Sequence, residues 1–523
     1  MTRRNRVQNV RSGGGRPRVG LLVIVMACLS AVGCARLAPT SESRLQAEVA
    51  GELERADPRP LAEASLQLPP KGRNSGQDAP VPSRTDRAAR RPGTAGASRA
   101  ETAGTPQEPE PSLDQLAEKT SLVTVLGLAA QNPEAEAALH RWRAATQKRP
   151  QAMTLPDPRV EATSFYVRDR DRYMLSVTQD IPYPGKLILA GRIADREAEI
   201  ARLRYQAAIR DALSAAKEAY FELYYIDRAQ AVTREIRDLY DRYAALAVGG
   251  NAVGRTNLPE TFRAESQRAQ LGYDLVLLEE MRRAESARLR AVLGLPATVA
   301  IGVTEDVADP VEIADPFDRL RELATLYNQD LAAAGVDVER AQAQRDLARR
   351  APIPDLMIGT NYTRMVDGME KDHTAGVTVG LTIPLWFGKY RAQNREAVEM
   401  LAAAQAEEDA QRLKVDADLA STYFSLSNSS RLVRLYHNTL LPQARQALQS
   451  AEELYRQGNA SMAAVLETTA TVHNFELARL RATADFYQNM ARLERVLGTA
   501  FQLKPRTPAP DANAAPPAKE GQP

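Results

Sequence analysis

The sequence contains few of the residues from which catalytic and metal centres are usually built. It has two cysteines and four histidines in 523 residues, and no histidine has a second one four positions away. Neither a Gly-rich phosphate loop nor a nucleophile–base spacing stands out. A formal net charge of +2 gives no reason to expect a nucleic-acid partner. We therefore predict a protein that is not an enzyme and that binds neither a cofactor nor a metal ion.

Aromatic residues are also scarce, at 5% of the chain, and proline and glycine are missing from long stretches. Between Lys186 and Val248 there is no proline, and Gly191 is the one glycine. Apolar residues recur at helical spacing in that stretch, which predicts a rod of about 95 Å. The same pattern predicts four long helices, the third of which bends near Pro442: Lys186–Val248, Leu258–Leu293, Tyr390–Gln457 and Ser461–Phe501.

The first 112 residues differ from the rest. A basic start and a short apolar run (Leu21–Leu29) predict a secretory signal peptide. The sequence Ala31-Val32-Gly33-Cys34 resembles a bacterial lipobox, which implies a signal peptide over 1–33 and lipidation of Cys34. An ordinary signal peptide is the alternative. In the lipoproteins that this motif resembles, an aspartate after the cysteine indicates retention in the inner membrane. Ala35 occupies that position here, so the resemblance implies the outer membrane. Large apolar residues are rare in 34–112 and 504–523, which predicts a disordered tether and a disordered tail.

One short sequence motif occurs twice, about 203 positions apart. It reads Ile181-Pro182-Tyr183-Pro184-Gly185-Lys186 and then Ile383-Pro384-Leu385-Trp386-Phe387-Gly388-Lys389. Tyr220-Phe221 recurs as Tyr423-Phe424, and Leu293-Gly294 recurs as Leu497-Gly498. We therefore predict two tandem repeats, 113–296 and 316–503, joined by a linker over 297–315. Each repeat is predicted as strand, strand, turn, long helix, tip and long helix.

Two pairs of strands precede the two copies of the repeated motif. They are predicted at Arg159–Tyr166 with Tyr173–Ile181, and at Asp355–Thr363 with Thr374–Ile383, each pair joined by a charged loop. One face of each pair is apolar and the other is small and polar, which is typical of transmembrane β-strands, although surface hairpins are an alternative. Four strands cannot close a membrane barrel. Several copies of the chain are therefore expected to share one.

Over 113–503, this combination resembles the TolC-like outer-membrane factors. The segment Gln179-Asp180-Ile181-Pro182-Tyr183-Pro184-Gly185-Lys186 is most similar to the heavy-metal efflux branch that includes CusC and CzcC. The resemblance implies a mainly α fold with transmembrane β: a homotrimer with a 12-stranded barrel and an α-helical periplasmic tunnel.

The same resemblance implies a passive exit duct in the outer membrane for metal ions or small toxic compounds. Its partners would be outer-membrane lipid, a periplasmic adaptor and an inner-membrane transporter of the RND type. A type I protein-secretion channel is an alternative, and so is a periplasmic coiled-coil adaptor or structural lipoprotein.

Three groups of residues acquire expected roles. At the two turns from strand to helix, prolines would end the strands, glycines would redirect the backbone, and aromatics and lysines would suit the membrane interface. Simple turn packing is the alternative. These residues are Pro182, Tyr183, Gly185, Lys186, Pro384, Trp386, Gly388 and Lys389.

The two hairpin tips resemble the adaptor-docking tips of the family, and ordinary helix-turn chemistry explains their composition equally well. Thr256 and Ser461 could cap the returning helices. The tip residues are Val253, Gly254, Arg255, Thr256, Gly458, Asn459, Ala460 and Ser461. Beyond the second tip, Ala464 and Glu467 match two aspartates that ring the periplasmic mouth of better-known channels. One acid is kept and one is lost, and a solvated position is the alternative for Glu467.

Overall fold

A computed structural model of the chain describes residues 113–167, 170–252, 258–308, 310, 315–367 and 370–500. The predicted signal peptide, Cys34, the tether over 34–112 and the tail over 504–523 lie outside the described residues. So do four residues of the first tip: Val253, Gly254, Arg255 and Thr256.

Short elements precede the first pair of strands. In chain order they are α1 (Leu113–Glu118), β1 (Lys119–Thr120), α2 (Leu122–Ala129), α3 (Pro133–Thr146) and α4 (Lys148–Met153). The predicted repeat unit began at the strands and therefore omitted them. The N-cap Asn132 accepts a hydrogen bond from Glu134 N, and Pro133 occupies the first helical position of α3, where a missing N–H removes no helical bond.

The rest of the first repeat consists of β2 (Arg159–Val167), β3 (Arg170–Ile181), α5 (Pro184–Ala252) and α6 (Leu258–Val292). Strand β4 (Val303–Thr304) follows, within the range predicted as a linker, and pairs in parallel with β1. The prediction of two long helices is confirmed. Helix α5 has 69 residues, so it is about 100 Å long.

The second repeat follows the same plan of helices, two strands, an outgoing helix and a returning helix, but its outgoing helix is divided in two. It contains α7 (Phe317–Tyr327), α8 (Gln329–Arg350), β5 (Leu356–Asp367), β6 (Glu370–Leu381), α9 (Phe387–Leu435), α10 (Leu441–Arg456) and α11 (Met462–Leu497). A π-helical turn, Tyr436–Leu440, joins α9 to α10. It ends two residues before Pro442, whose ring would clash with the carbonyl four residues earlier in a regular helix. The wider turn is located where the sequence predicts a bend.

The four long strands form one antiparallel sheet in the order β2-β3-β5-β6. The β3–β5 pairing joins the two predicted hairpins, from Ile181↔Leu356 to Arg170↔Asp367. The strands are longer than predicted: β2 reaches Val167 and β3 begins at Arg170, while β5 reaches Asp367 and β6 begins at Glu370. The described residues of the charged segments predicted as loops are therefore strand. Strands β2 and β6 are the edges of this sheet.

The helices pack in a consistent lateral order. Near the sheet, α5 contacts α3 on one side and α8 on the other, and α8 also contacts α9. Towards the tips, α5 contacts α6 and α11, and α11 also contacts α9. Helix α5 therefore lies inside the row at both levels, whereas α9 ends the row. None of the helices in the described ranges is both long enough and apolar enough to cross a membrane.

Polar contacts hold the middle of the molecule together. The buried Asp227 of α5 accepts a hydrogen bond from Arg282 Nε of α6 at 2.6 Å. Its second carboxylate oxygen accepts from Thr304 N at 2.9 Å and from Thr304 Oγ1 at 3.0 Å. Arg282 also donates to the carbonyl of Gly302 at 2.8 Å. A buried charge is tolerated when it is paired and hydrogen-bonded in this way, and the network fixes β4 against both helices.

Two asparagines join the ends of helices in the same way in both repeats. Asn132 caps α3 and donates through Nδ2 to the carbonyl of Val292, near the end of α6. Asn328 caps α8, accepting from Leu331 N at 2.8 Å, and donates to the carbonyl of Val496 in α11 at 2.8 Å. Each returning helix is followed by a glycine with positive φ, Gly294 or Gly498. The repeat is therefore preserved in its hydrogen bonds as well as in its sequence.

Candidate functional site

The first turn from strand to helix is joined to the second repeat by Asp355. Tyr183 N donates to Asp355 Oδ1 at 2.8 Å. Lys186 Nζ donates to the same carboxylate at 2.9 Å and 3.0 Å, and to the carbonyl of Ile353 at 2.7 Å. The Lys186 side chain is only 17% exposed. Turn packing thus describes Lys186 better than a place at a membrane interface. The sequence reasoning treated Asp355 only as the start of a strand.

The glycines of the two turns do not redirect the backbone, and that prediction is wrong. Gly185 and Gly388 lie in the first turns of α5 and α9, and the glycines with positive φ in the described ranges are Gly294, Gly458 and Gly498. A Cβ on Gly185 would come within 2.5 Å of Tyr183 Cε1 and 2.8 Å of Arg350 Nη1. Gly185 therefore provides space for its neighbours, while a Cβ on Gly388 would meet nothing within 4 Å.

The second turn is much more open than the first. Trp386 is 76% exposed and occupies the N-cap position of α9, with no capping bond from its side chain. Lys389 is exposed, and its Nζ lies 5.7 Å from the centre of the Tyr390 ring. Pro384 is half-buried. The exposed Trp386, Phe387 and Lys389 retain the combination that is typical of a membrane interface.

The two faces of the sheet have different chemistry. One face is apolar and exposed, with Val177, Ile358, Val377 and Val379 among its members. The strand register pairs Val177 with Thr360, and Thr360 with Val377, so the two valines lie on the same face of the sheet. The opposite face carries small and polar residues: Ser176, Thr178, Gly359, Asn361, Thr363, Gly376, Thr378 and Gly380. An apolar band on one face and a polar opposite face are the pattern of strands that separate lipid from a water-filled lumen.

The second hairpin tip is a regular helix C-terminus. Gly458 has φ 78°, its N–H donates to the carbonyl of Tyr455 at 3.0 Å, and Asn459 N donates to Leu454 O at 2.8 Å. This pair of bonds is a Schellman motif, which needs a left-handed residue and favours glycine. Ala460 is half-buried. Ser461 does occupy the N-cap position of α11, but its side chain accepts no bond there, so the predicted side-chain cap is absent.

The two hairpins are held together near this tip. Met462, Val465 and Leu466 of α11 are buried in one cluster with Tyr240 and Tyr243 of α5. Tyr240 Oη donates to the carbonyl of Leu466 at 2.9 Å, and burial raises the pKa of Tyr240 to about 12. Tyr243 Oη donates to Glu452 of α10. The pKa of Tyr243 is raised, first by burial and then by that bond.

The predicted mouth residues face away from this cluster. Ala464 is half-buried and Glu467 is exposed, and their separation of three positions puts them on one side of α11. The structure thus gives Glu467 access to solvent. Within the described ranges, no three His, Cys, Asp or Glu side chains come together as metal ligands would.

A line of ion pairs joins α5 to α11 between the tip and the sheet. Glu218 pairs with Arg492 at 2.9 Å, and Glu222 pairs with Arg481 at 2.8 Å. Asp211 with Arg495 and Lys217 with Glu494 extend the line. Among these charges, Phe221 stacks on Tyr487 with ring centres 4.7 Å apart. The sequence reasoning missed this seam, because acids on one helix and arginines on another reveal it only when the register between the helices is known.

Comparison with known proteins agrees with this architecture. Residues 320–499 match the family of outer membrane efflux proteins. The cobalt-zinc-cadmium resistance protein CzcC of Cupriavidus metallidurans is 23% identical over 355 residues, which is 66% of this chain and 82% of CzcC. The pyoverdine export outer membrane protein OpmQ of Pseudomonas aeruginosa is 24% identical over 290 residues, 53% of this chain and 60% of OpmQ.

Solved structures share the fold. The outer membrane protein VceC of Vibrio cholerae superimposes with a TM-score of 0.63 at 18% identity, over 73% of this chain and 97% of VceC. CusC superimposes with a TM-score of 0.63 at 14% identity, over 73% of this chain and 93% of CusC. The predicted resemblance is confirmed. Residues 320–499 match the outer membrane efflux protein family, and the chain has the fold of the solved outer-membrane channels.

Proposed function

We propose that this protein is the outer-membrane exit duct of a tripartite efflux pump and that it works as a homotrimer. It would receive its substrates from an inner-membrane transporter, through a periplasmic adaptor, and release them passively outside the cell. Membership of residues 320–499 in the efflux protein family supports this assignment.

The observation that carries the proposal is the four-stranded sheet. It has one exposed apolar face, one polar face and two unpaired edges, β2 and β6. In lipid, each unpaired backbone group would cost several kcal/mol. Three copies supply twelve strands, an even number that falls within the range of closed outer-membrane barrels. The apolar face would then meet lipid, and the polar face would line the lumen.

The ends of the molecule would have separate roles. Trp386, Phe387 and Lys389 would lie at the periplasmic border of the membrane, with Tyr183 at the same level. The tips at Val253–Thr256 and Gly458–Ser461 would dock the adaptor, and Ala464 with Glu467 would line the mouth. Cys34 would carry a lipid that adds a second anchor in the outer membrane.

We propose metal ions or small toxic compounds as the substrates and an RND-type transporter as the inner-membrane partner. CzcC is named for resistance to cobalt, zinc and cadmium, while OpmQ is named for pyoverdine export. The lumen face of the sheet carries small uncharged residues such as Ser176, Asn361 and Thr378, together with charged residues such as Glu161 and Asp180. Such a surface suits a passive duct, with substrate selection left to the transporter.

The test is deletion of the gene, followed by complementation and exposure of the cells to metals, dyes and antibiotics. We expect the deletion to sensitise the cells to at least one of these, and the intact chain to restore resistance. Purified protein in detergent should have the mass of a trimer. Unchanged resistance with loss of a secreted protein would instead assign the chain to type I secretion, and a folded monomer would refute the shared barrel.

A further inference from the structure

The second strand-to-helix turn lacks the acidic partner that completes the first turn. Lys186 is held by Asp355 through two hydrogen bonds. Lys389 is its counterpart in the repeated motif and is exposed. Its side chain makes no hydrogen bond or ion pair with the described residues, and its Nζ lies 5.7 Å from the centre of the Tyr390 ring. An aspartate without such a partner, Asp157, lies just before β2. Asp157 is exposed and makes no hydrogen bond or ion pair with the described residues.

The repeat relates Asp157 to Asp355. Each aspartate follows a proline and stands just before the first strand of its repeat, as Pro156-Asp157 before β2 and Pro354-Asp355 before β5. Pro158 separates Asp157 from β2, whereas Asp355 directly precedes β5. The second turn is also one residue longer than the first.

The order of the strands shows where Asp157 would be needed. Strand β3 leads to Lys186 and pairs with β5, so the residue before β5 reaches Lys186. Strand β6 leads to Lys389 and is the edge of the sheet, and β2 is the opposite edge. When the sheet is continued by a second copy, β6 lies beside the β2 of that copy. The residue that then takes the place of Asp355 is Asp157 of the partner subunit.

We propose that Lys389 forms an ion pair with Asp157 of the partner subunit, so that a neighbouring copy completes the second turn. This inference rests on the proposed homotrimer and names the residues that close it. An exposed single pair contributes little. A pair with the low exposure of Lys186 and Asp355, aided by a backbone carbonyl, is worth more because its hydrogen bonds are charge-assisted.

The same ring closure covers an apolar surface farther along the helices. In the row α6-α5-α11-α9, continuing the order places α9 beside the α6 of the next copy. Helix α9 exposes Leu413 and Phe424, and α6 exposes Tyr273, Val276, Leu277 and Met281. These surfaces complement each other by their apolar character. A second copy of this chain is therefore the occupant that both surfaces fit.

The experiment is a charge exchange between copies. Lys389→Glu and Asp157→Lys should each lower the temperature at which the purified trimer dissociates, and the double variant should recover most of the loss. Lys389→Arg, which keeps the charge, is the matched control and should behave like the wild type.

Co-expression of the two single variants with different tags shows whether the pair joins different copies. In a mixed trimer, the carboxylate introduced by Lys389→Glu can meet the ammonium group introduced by Asp157→Lys on the neighbouring copy. Mixed trimers should therefore be enriched above the random share and should dissociate at a higher temperature than either homotrimer. The wild type could be a trimer while the double variant does not recover its dissociation temperature and mixed trimers are not enriched. The proposed ion pair would then be wrong, and the duct proposal would stand. If the wild type is not a trimer, both fail.

Discussion

Helices α5 and α9 are repeat counterparts, yet their surroundings differ. Phe221 of α5 is 3% exposed and stacks on Tyr487, whereas Phe424 of α9 is 64% exposed. Helix α5 has neighbours on both sides at both levels, and α9 lies at the end of the row. The large difference in burial between equivalent positions supports the proposal that several copies of the chain assemble, with a neighbouring copy covering α9. Within the described chain, Phe221 of the first repeat is covered by α11, whereas the equivalent Phe424 of the second repeat is exposed.

The chemistry of the two seams also differs. The seam between α5 and α11 is a line of ion pairs around Phe221. The free face of α9 instead presents Leu413 and Phe424, and α6 presents Tyr273 and Leu277. The surfaces of α5 and α11 meet within one chain and are joined by ion pairs. Large apolar patches, by contrast, mark surfaces that another molecule covers.

The largest expected effect comes from the matched truncations Phe221→Ala and Phe424→Ala. Phe221→Ala removes a buried ring and should lower the free energy of unfolding of the protomer by about 3–5 kcal/mol. Phe424→Ala should leave the folded protomer nearly unchanged and weaken assembly instead. Denaturant unfolding followed by helical circular dichroism measures the first effect. Equal losses of protomer stability in the two variants would contradict the contrast between the seams.

A charge placed on the exposed apolar face of α9 should weaken assembly without unfolding the protomer. Phe424→Glu would bury an unpaired carboxylate in the apolar seam, at a cost of several kcal/mol, so we expect monomers with normal helix content in detergent. Mass photometry with circular dichroism checks both points. Arg412→Glu, a charge change on an exposed residue of the same helix, is the control and should leave the trimer intact. A stable Phe424→Glu trimer would show that this face stays open to solvent.

The asparagine caps offer a smaller test within one chain. Asn328→Ala removes a helix cap and the bond to the carbonyl of Val496, which should destabilise the protomer by about 1–2 kcal/mol. Asn132→Ala should have an effect of similar size in the first repeat, because its bonds are equivalent. Thermal unfolding of the two variants gives the comparison. A negligible change in both would mean that these caps do not stabilise the helix ends.

The smallest expected effect concerns pH. His473 of α11 lies against Thr233 of α5, with Nε2 and Oγ1 3.2 Å apart. Burial lowers the pKa of His473, although Asp274 acts in the opposite direction. As the pH falls below about 6.5, the unfolded chain therefore binds more protons at this histidine than the folded protein does. The free energy of unfolding should fall with the pH for this reason. His473→Gln should flatten the pH dependence of thermal unfolding between neutral and mildly acidic pH. An unchanged profile would exclude His473 as its source.

The apolar periodicity predicted the long helices because helical spacing over dozens of residues leaves little ambiguity. Helix α6 was predicted at Leu258–Leu293 and is found at Leu258–Val292. The alternation of Val177, Val377 and Val379 predicted the strands and their apolar face. Their extension into the charged loops was missed, because hairpin length depends on the turn more than on residue polarity.

Contacts between distant elements could not be predicted in this way. The pairing of Lys186 with Asp355 depends on β3 lying beside β5, and the line from Glu218 to Arg492 depends on the register of α5 against α11. Gly185 was misread because a glycine in a turn motif suggests positive φ, whereas its neighbours only require space. The repeat still held a usable signal: the two Pro-Asp pairs and the two lysines occupy equivalent places in its halves.

The most direct test of the account places thiols on both sides of the expected contact between copies. Glu222 pairs with Arg481 within the chain, and the repeat relates these positions to Ser425 of α9 and Leu277 of α6. A Ser425→Cys, Leu277→Cys variant treated with a short bismaleimide linker should give covalent dimers and trimers on a denaturing gel. Each single variant should stay monomeric there. A double variant that also stays monomeric, although its thiols react with a monofunctional maleimide, would contradict a seam between α9 and the α6 of a neighbouring copy.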